Sequence, residues 1–146
     1  MSDTPRYVFD TNVVVSALLF NDSVPGRALF RALERGDLLM SDPLVQELRD
    51  VLSRDKFDRY LTREERERLL VAVIRQAQLV ETSTPIRACR DRDDDAILEL
   101  AVDGSASFVV TGDSDLLVLD PFRGVRIVTP SRLLELMSES RTEDET

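Results

Sequence analysis

Tyr7-Val8-Phe9-Asp10-Thr11-Asn12 runs three strand-favouring residues into a carboxylate, a hydroxyl and an amide, and then into the apolar stretch Val13 to Phe20. Arg6-Tyr7-Val8-Phe9 shows no polar alternation, the pattern of a strand buried on both faces at the centre of a parallel sheet. Asp10 falls where that strand ends. In open α/β sheets ligands bind beyond the carboxyl ends of the strands, so an acid there is placed for chemistry. Taken alone, Asp10, Thr11 or Asn12 serves as readily to cap the next helix. The same arrangement recurs downstream, however. Ser107-Phe108-Val109-Val110-Thr111 is a second apolar strand that ends in Gly112-Asp113-Ser114-Asp115.

Between these two strands the chain alternates. Val13 to Phe20 reads as a helix, Asn21-Asp22-Ser23 as a loop, and Pro25 opens a second helix that stops at Gly36. Arg27, Arg31 and Arg35 recur every four residues on it, a basic stripe opposite Leu29, Ala32 and Leu33 of the kind that is ordinarily just solvated. Leu38-Leu39-Met40 is a short strand, and Asp42-Pro43 has the form of an N-cap with proline at the first helical position. The helix from Leu44 to about Arg54 keeps Leu44, Leu48, Val51 and Leu52 on its apolar face and Glu47 on the margin of that face. An inward carboxylate requires a partner, and a structural ion pair with an arginine would supply one.

Thr62-Arg63-Glu64-Glu65 matches a capping box ahead of the helical period Leu69, Leu70, Val73, Ile74 and Ala77. Leu79-Val80 adds a short strand. The loop Glu81 to Arg92 leads into a helix with Ala96 to Val102 that ends near Gly104. Acids in a first turn suit the helix dipole. Asp91, Asp93, Asp94 and Asp95 are more than capping requires. Val125 to Val128 is a further strand, and Arg132 to Met137 a closing helix. The alternation implies an α/β fold, a parallel sheet with helices on both faces. Residues 1–137 read as a single domain, and 138–146 as an acidic, disordered tail.

The totals narrow the chemistry. There is no histidine among the 146 residues, which excludes Ser-His-Asp and Cys-His catalysis and the His-containing zinc sites. Metal or acid–base work must rest on carboxylates, which favour Mg²⁺ or Mn²⁺. A net charge of −9 argues against a general nucleic-acid binder, since phosphate affinity comes from basic surface. Of the 19 basic residues only Lys56 is a lysine. The arginine fork pairs with phosphate oxygens, or else simply replaces lysine on solvated faces. Cys89 is the single cysteine, so no intrachain disulfide is possible, which fits a reducing cytoplasm. No apolar run approaches the ~20 residues of a membrane span, and the N-terminus lacks the basic and apolar regions of a signal peptide. The expectation is a cytoplasmic protein with no membrane association.

Asp10 and Asp113 beyond strand ends, Asp95 at a helix N-terminus and Glu47 on an inner helix margin have structural reasons to converge. Two unit charges at ~4 Å repel by ~1 kcal/mol in water and ~4 kcal/mol at an effective dielectric of 20. Such a group holds its charge only with cations present.

In these residues the chain resembles the PIN-domain family of metal-dependent ribonucleases, especially the toxins of bacterial and archaeal toxin–antitoxin pairs. The likeness rests on Val8-Phe9-Asp10-Thr11-Asn12-Val13, the Glu47 helix, Asp91 through Ala101, Phe108 through Leu117, and Ile127-Val128-Thr129-Pro130. It implies a three-layer α/β/α sandwich around a central parallel sheet. It also implies hydrolysis of RNA phosphodiester bonds with one or two Mg²⁺ or Mn²⁺ ions, a cognate antitoxin, and commonly a homodimer. By the family pattern the four acids are Asp10, Glu47, Asp95 and Asp113. Asp95 precedes Ala96 as the pattern has it. Asp94 lies three and four residues before Ile97 and Leu98, and so is the alternative third ligand. Asp115 would be an accessory ligand, Asn12 and Thr111 would orient the carboxylates, and Arg87, Arg90 and Arg92 would contact the RNA backbone.

Other classes fit less well. A haloacid-dehalogenase phosphatase requires an acid where Asn12 stands, a receiver domain requires a late lysine, and no Gly-Lys-Ser/Thr of a P-loop occurs. The alternative from a different class is a PIN-fold module that binds RNA or protein without cutting.

Overall fold

The computed structural model describes residues 4–144, with side chains through 139. Among the described residues the strands are β1 (Arg6–Phe9), β2 (Asp37–Met40), β3 (Gln78–Leu79), β4 (Phe108–Val110) and β5 (Arg126–Val128). The helices are α1 (Thr11–Leu19), α2 (Val24–Arg35), α3 (Asp42–Leu52), α4 (Arg63–Gln76), α5 (Arg92–Asp103), α6 (Ser114–Leu117) and α7 (Pro130–Asp144). All strand pairs are parallel, in the order β3-β2-β1-β4-β5.

The apolar Tyr7-Val8-Phe9 run lies at the centre of this sheet, as its lack of alternation requires. Val8, Phe9, Leu38, Leu39, Met40, Val109 and Val110 are each at most 1 % exposed. Parallel crossovers are right-handed. The connections β1 to β2 and β2 to β3 therefore place α1 to α4 on one face, while the return from β3 to β4 places α5 on the other. The result is the expected α/β/α sandwich. Helix α1 contains three consecutive valines, weak helix formers. It holds because it is buried on nearly every side, with Val13, Val14, Val15, Ala17 and Leu18 all in the core.

Pairing runs past the strand ends. Asp10 N–H donates to Val110 O and Thr111 N–H to Val128 O, each at 2.9 Å. The backbones that carry the acids are thus fixed by the sheet itself.

Several boundaries differ from the sequence pattern. Ser41, not Asp42, caps α3, its hydroxyl accepting from Leu44 N–H, and Pro43 sits one position later than expected. The capping box at Thr62 and Glu65 is present. Helix α7 continues past the expected helix end at Met137, through Asp144. Of the expected tail, residues 145–146 lie outside the described residues. In α4 the core position that the period would give to Leu69 goes to Arg66, which is 1 % exposed. No single described helix is long and apolar enough to cross a membrane.

Candidate metal centre

The strand order reverses at β1. The chain steps outward from β1 to β2 and β3, then returns to lay β4 on the opposite side. A crevice opens at such a switch point beyond the carboxyl ends of the strands. Asp10 leaves β1 and Thr111 to Asp113 leave β4 on its two sides.

Asp10 occupies the N-cap position of α1, yet its carboxylate makes no capping hydrogen bond. It is held instead from across the crevice. The Thr111 hydroxyl donates to Asp10 Oδ2 at 2.7 Å and accepts from Asp113 N–H at 3.0 Å. Thr111 is fully buried. One hydroxyl therefore fixes the two strand-end acids relative to each other. Thr111→Val keeps the shape and removes both bonds. Activity in any reaction at this site should fall about 10- to 100-fold, with a stability loss of about 1–3 kcal/mol, read from initial rates and melting midpoints.

Asp113 caps α6 through Asp115 N–H at 2.9 Å, and Asp91 caps α5 through Asp93 N–H at 2.9 Å. Capping thus explains part of the acid cluster, as the helix-dipole reading allowed. It does not explain Asp94, whose carboxylate faces Asp113. Oxygens of Asp94, Asp113 and Asp115 all lie within 4.8 Å of one another. Glu47 stands on the margin of its helix, half-buried as expected. The buried Thr11 hydroxyl faces it without closing a hydrogen bond of ordinary length.

The electrostatics follow from crowding. Asp10 is raised above the usual carboxylate range by burial first, against the lowering effect of Thr111 and the Thr11 N–H, with the charges of Asp113 and Asp91 adding to the rise. Glu47 is raised by burial, then by Asp93, Asp10 and Asp91, while Thr11 lowers it. Asp94 is pushed up to about 7, by burial and then by Asp113, Asp10 and Asp91. No ion pair among the described residues reaches any of these acids. The arginine partner considered for Glu47 is therefore absent among them. Half-buried carboxylates with no protein cation, offering only hard oxygen donors, fit a divalent metal.

Asp95, the third acid preferred from the sequence, is engaged by the loop before α5. It is 7 % exposed, and its Oδ1 accepts from Ala88 N–H at 3.0 Å and Cys89 N–H at 2.8 Å. Glu99 accepts from Ile86 N–H at 3.1 Å, and Asp103 accepts from Ser83 and Thr84 N–H at 2.7 and 3.1 Å. Asp95, Glu99 and Asp103 recur every four residues on one side of α5 and together hold the extended loop before it. Asp95 serves that loop, and Asp94 takes the place facing Asp113. Asp95→Ala should cost about 2 kcal/mol, the loss of a buried acceptor, yet retain any Mn²⁺-induced rise in melting temperature. Asp95→Asn, which still accepts through its amide oxygen, should cost less.

Asn12 is exposed and lines the crevice without a recorded bond to an acid. Arg87, Arg90 and Arg92 are exposed near the start of α5, in no ion pair among the described residues. The crevice itself, ≈ 600 Å³, is lined by Asp10, Asn12, Ser16, Val24, Asp113 and Ser131 among others. Thr11, Asp91 and Asp93, which by pattern are a cap candidate and members of an acid run and not ligands, act on Asp10 or Glu47 through the tertiary fold.

The family model described as "PIN domain" matches residues 6–115. The chain belongs to the PIN domain family. A curated relative, MJ1680 of Methanocaldococcus jannaschii, is 30 % identical over 116 residues, covering 78 % of this chain and 74 % of its own. Two solved structures share the fold at low identity. PAE2754 from Pyrobaculum aerophilum is 16 % identical with a TM-score of 0.62, covering 92 % of this chain and 91 % of its own. VapBC2 from Rickettsia felis, bound to a DNA fragment from their promoter, is 15 % identical with a TM-score of 0.59, covering 84 % and 96 %. PIN domains are generally nucleases that use divalent metal ions, and both the expected family and the expected fold are borne out.

Proposed function

We propose that this PIN-domain protein hydrolyses RNA phosphodiester bonds with Mg²⁺ or Mn²⁺, as the toxin of a toxin–antitoxin pair. The observation that carries the reading is the group Asp10, Glu47, Asp94 and Asp113, crowded at the strand switch point with no ion-pair partner among the described residues. Those four would hold the cation, with Asp115 at the rim. When bound, a divalent cation supplies charge neutralisation and Lewis-acid help to in-line displacement at phosphorus. The chain's own contribution is placement. Thr111 sets Asp10 against Asp113, the sheet fixes both backbones, and the Asn12, Ser16 and Ser131 side of the crevice offers hydrogen-bonding groups to a polar substrate.

The protein partner rests on the likeness to the VapBC2 structure. A cognate antitoxin that covers the crevice would silence the nuclease until it is removed, and the site of action is the cytoplasm, where RNA is exposed. The test incubates metal-stripped protein with single-stranded RNA, with and without Mn²⁺, alongside Asp10→Asn. Cleavage that requires both the metal and Asp10 supports the reading. A Mn²⁺-dependent rise in melting temperature with RNA bound but uncut would instead identify a non-cutting module.

A further inference from the structure

The outer wall of the acidic crevice is formed by the first turns of two helices, Val24 and Pro25 of α2 and Pro130 and Ser131 of α7. The two helices are packed against each other, and a second cavity of ≈ 510 Å³ lies between them, lined further along each helix. Arg27 and Arg31 of α2 line it, facing Leu134, Glu135, Ser138 and Glu139 of α7. The basic stripe of α2 is therefore not simply solvated. Its third member, Arg35, is fixed by donating from Nη1 to Met137 O at 2.9 Å.

Arg27 and Arg31 differ from Arg35 in being in no ion pair or hydrogen bond recorded among the described residues. This holds although two glutamates line the same groove. Those glutamates are engaged elsewhere, Arg132 Nη1 lying 2.9 Å from Glu135 Oε2 and 3.9 Å from Glu139 Oε1. Two guanidinium groups one helical turn apart, about 6 Å along the axis, thus face open space beside a candidate phosphodiester-cleaving crevice. A guanidinium pairs with phosphate oxygens in a two-pronged geometry. In a chain of net charge −9, a nucleic acid requires such a local basic track to approach at all. The positive ends of the α2 and α7 dipoles point to the crevice end of the same groove.

We propose that Arg27 and Arg31 bind the phosphate backbone of the RNA strand where it leaves the acidic crevice along the α2–α7 groove. This rests on the RNA-cleaving reading of the acids and extends it from the scissile bond to the flanking nucleotides. The two residues are positioning residues, remote from the acids, so their loss acts on binding of long strands and not on the chemical step.

The test compares wild type, Arg27→Gln/Arg31→Gln and Arg27→Lys/Arg31→Lys with Mn²⁺, on a 14-nucleotide and a 4-nucleotide RNA. The glutamine variant should raise KM for the long strand about 10-fold with kcat unchanged, and reduce the slope of log KM against log salt by about 1.4, two phosphate contacts at ~0.7 each. The short strand should be cut alike by all three proteins. The lysine variant should restore the salt slope, since charge alone sets it, while its KM stays above wild type. Unchanged KM for the long strand in the glutamine variant overturns the groove assignment and leaves the nuclease reading standing. Equal loss on both strands also overturns it, because the effect would then be one of general charge or stability. A wild type that neither binds nor cuts either RNA overturns both readings at once.

Discussion

Asp94→Asn should lower RNA cleavage by about 100- to 1,000-fold, roughly 2.7–4 kcal/mol of barrier, and at the same time stabilise the metal-free protein above neutral pH. The two effects have one cause. Asp94 is pushed up to about 7 from its ordinary 3.8, by burial first and then by the charges of Asp113, Asp10 and Asp91 and a hydrogen bond with Asp113. Because the folded state holds this proton more tightly than the unfolded chain does, the stabilisation is complete below about pH 3.8 and is lost as pH rises through about 7. Metal-free wild type should therefore lose stability relative to Asp94→Asn between about pH 4 and about pH 7 and run parallel to it above. Screening at a part-exposed carboxyl limits the loss to about 1–3 kcal/mol. Mn²⁺ at pH 8 should then raise the wild-type midpoint by about 3–6 °C at ten times its Kd, and the variant's far less. Melting curves over this pH range and at pH 8, with and without Mn²⁺, check both halves. Parallel profiles in the two proteins through the whole range would show that Asp94 carries no such strain.

Arg66→Ala should destabilise the fold by about 3 kcal/mol, while Arg66→Met should cost about 1 kcal/mol or less. Arg66 closes the first turn of α4, 1 % exposed. Its Nη1 donates to Leu61 O at 2.8 Å and its Nη2 to Asp58 Oδ1 at 2.9 Å, while its Nε has no partner. The side chain fills the space beneath the turn from Asp55 to Leu61 and ties that turn to the helix. Either substitution removes the donor to the Leu61 carbonyl, and alanine in addition leaves a cavity. Methionine refills most of the volume and removes the unsatisfied Nε. Asp58 is more than half exposed, so it returns to water in either variant. Chemical denaturation of the three proteins separates the cases. Equal losses for alanine and methionine would assign the whole effect to the hydrogen bonds and none to volume.

Much of this molecule was legible in local pattern. The two apolar runs that end in acids, Tyr7 to Asp10 and Phe108 to Asp113, gave the central strands and the two sides of the crevice, because a fully buried strand leaves the sheet only at its polar end. The capping box at Thr62 was equally plain, its two bonds being local by construction. The misreadings have physical reasons. Asp42 lost the α3 cap to Ser41 because the two residues are adjacent and both cap well. Arg66 took a core position because the turn before α4 presents a carbonyl and a carboxylate that pay for its burial, and neither is visible in a hydrophobic period.

What the sequence by itself determined is the inventory and its order. A chain without histidine confines any metal to carboxylates, and strands that end in acids bring Asp10 and Asp113 to one edge of a parallel sheet. What only the tertiary structure decided is which acid of a run faces the site and which arginines of a stripe are left over. Asp94 and Asp95 differ by about 100° around α5, and both directions are partly enclosed. The choice between them is made by the backbone N–H groups of Ala88 and Cys89, which need an acceptor and take Asp95. In the same way Arg27, Arg31 and Arg35 are equivalent by spacing, and they separate only because α7 satisfies the last of them at Met137. Periodicity assigns a residue to a face, but the partner across that face sets its role.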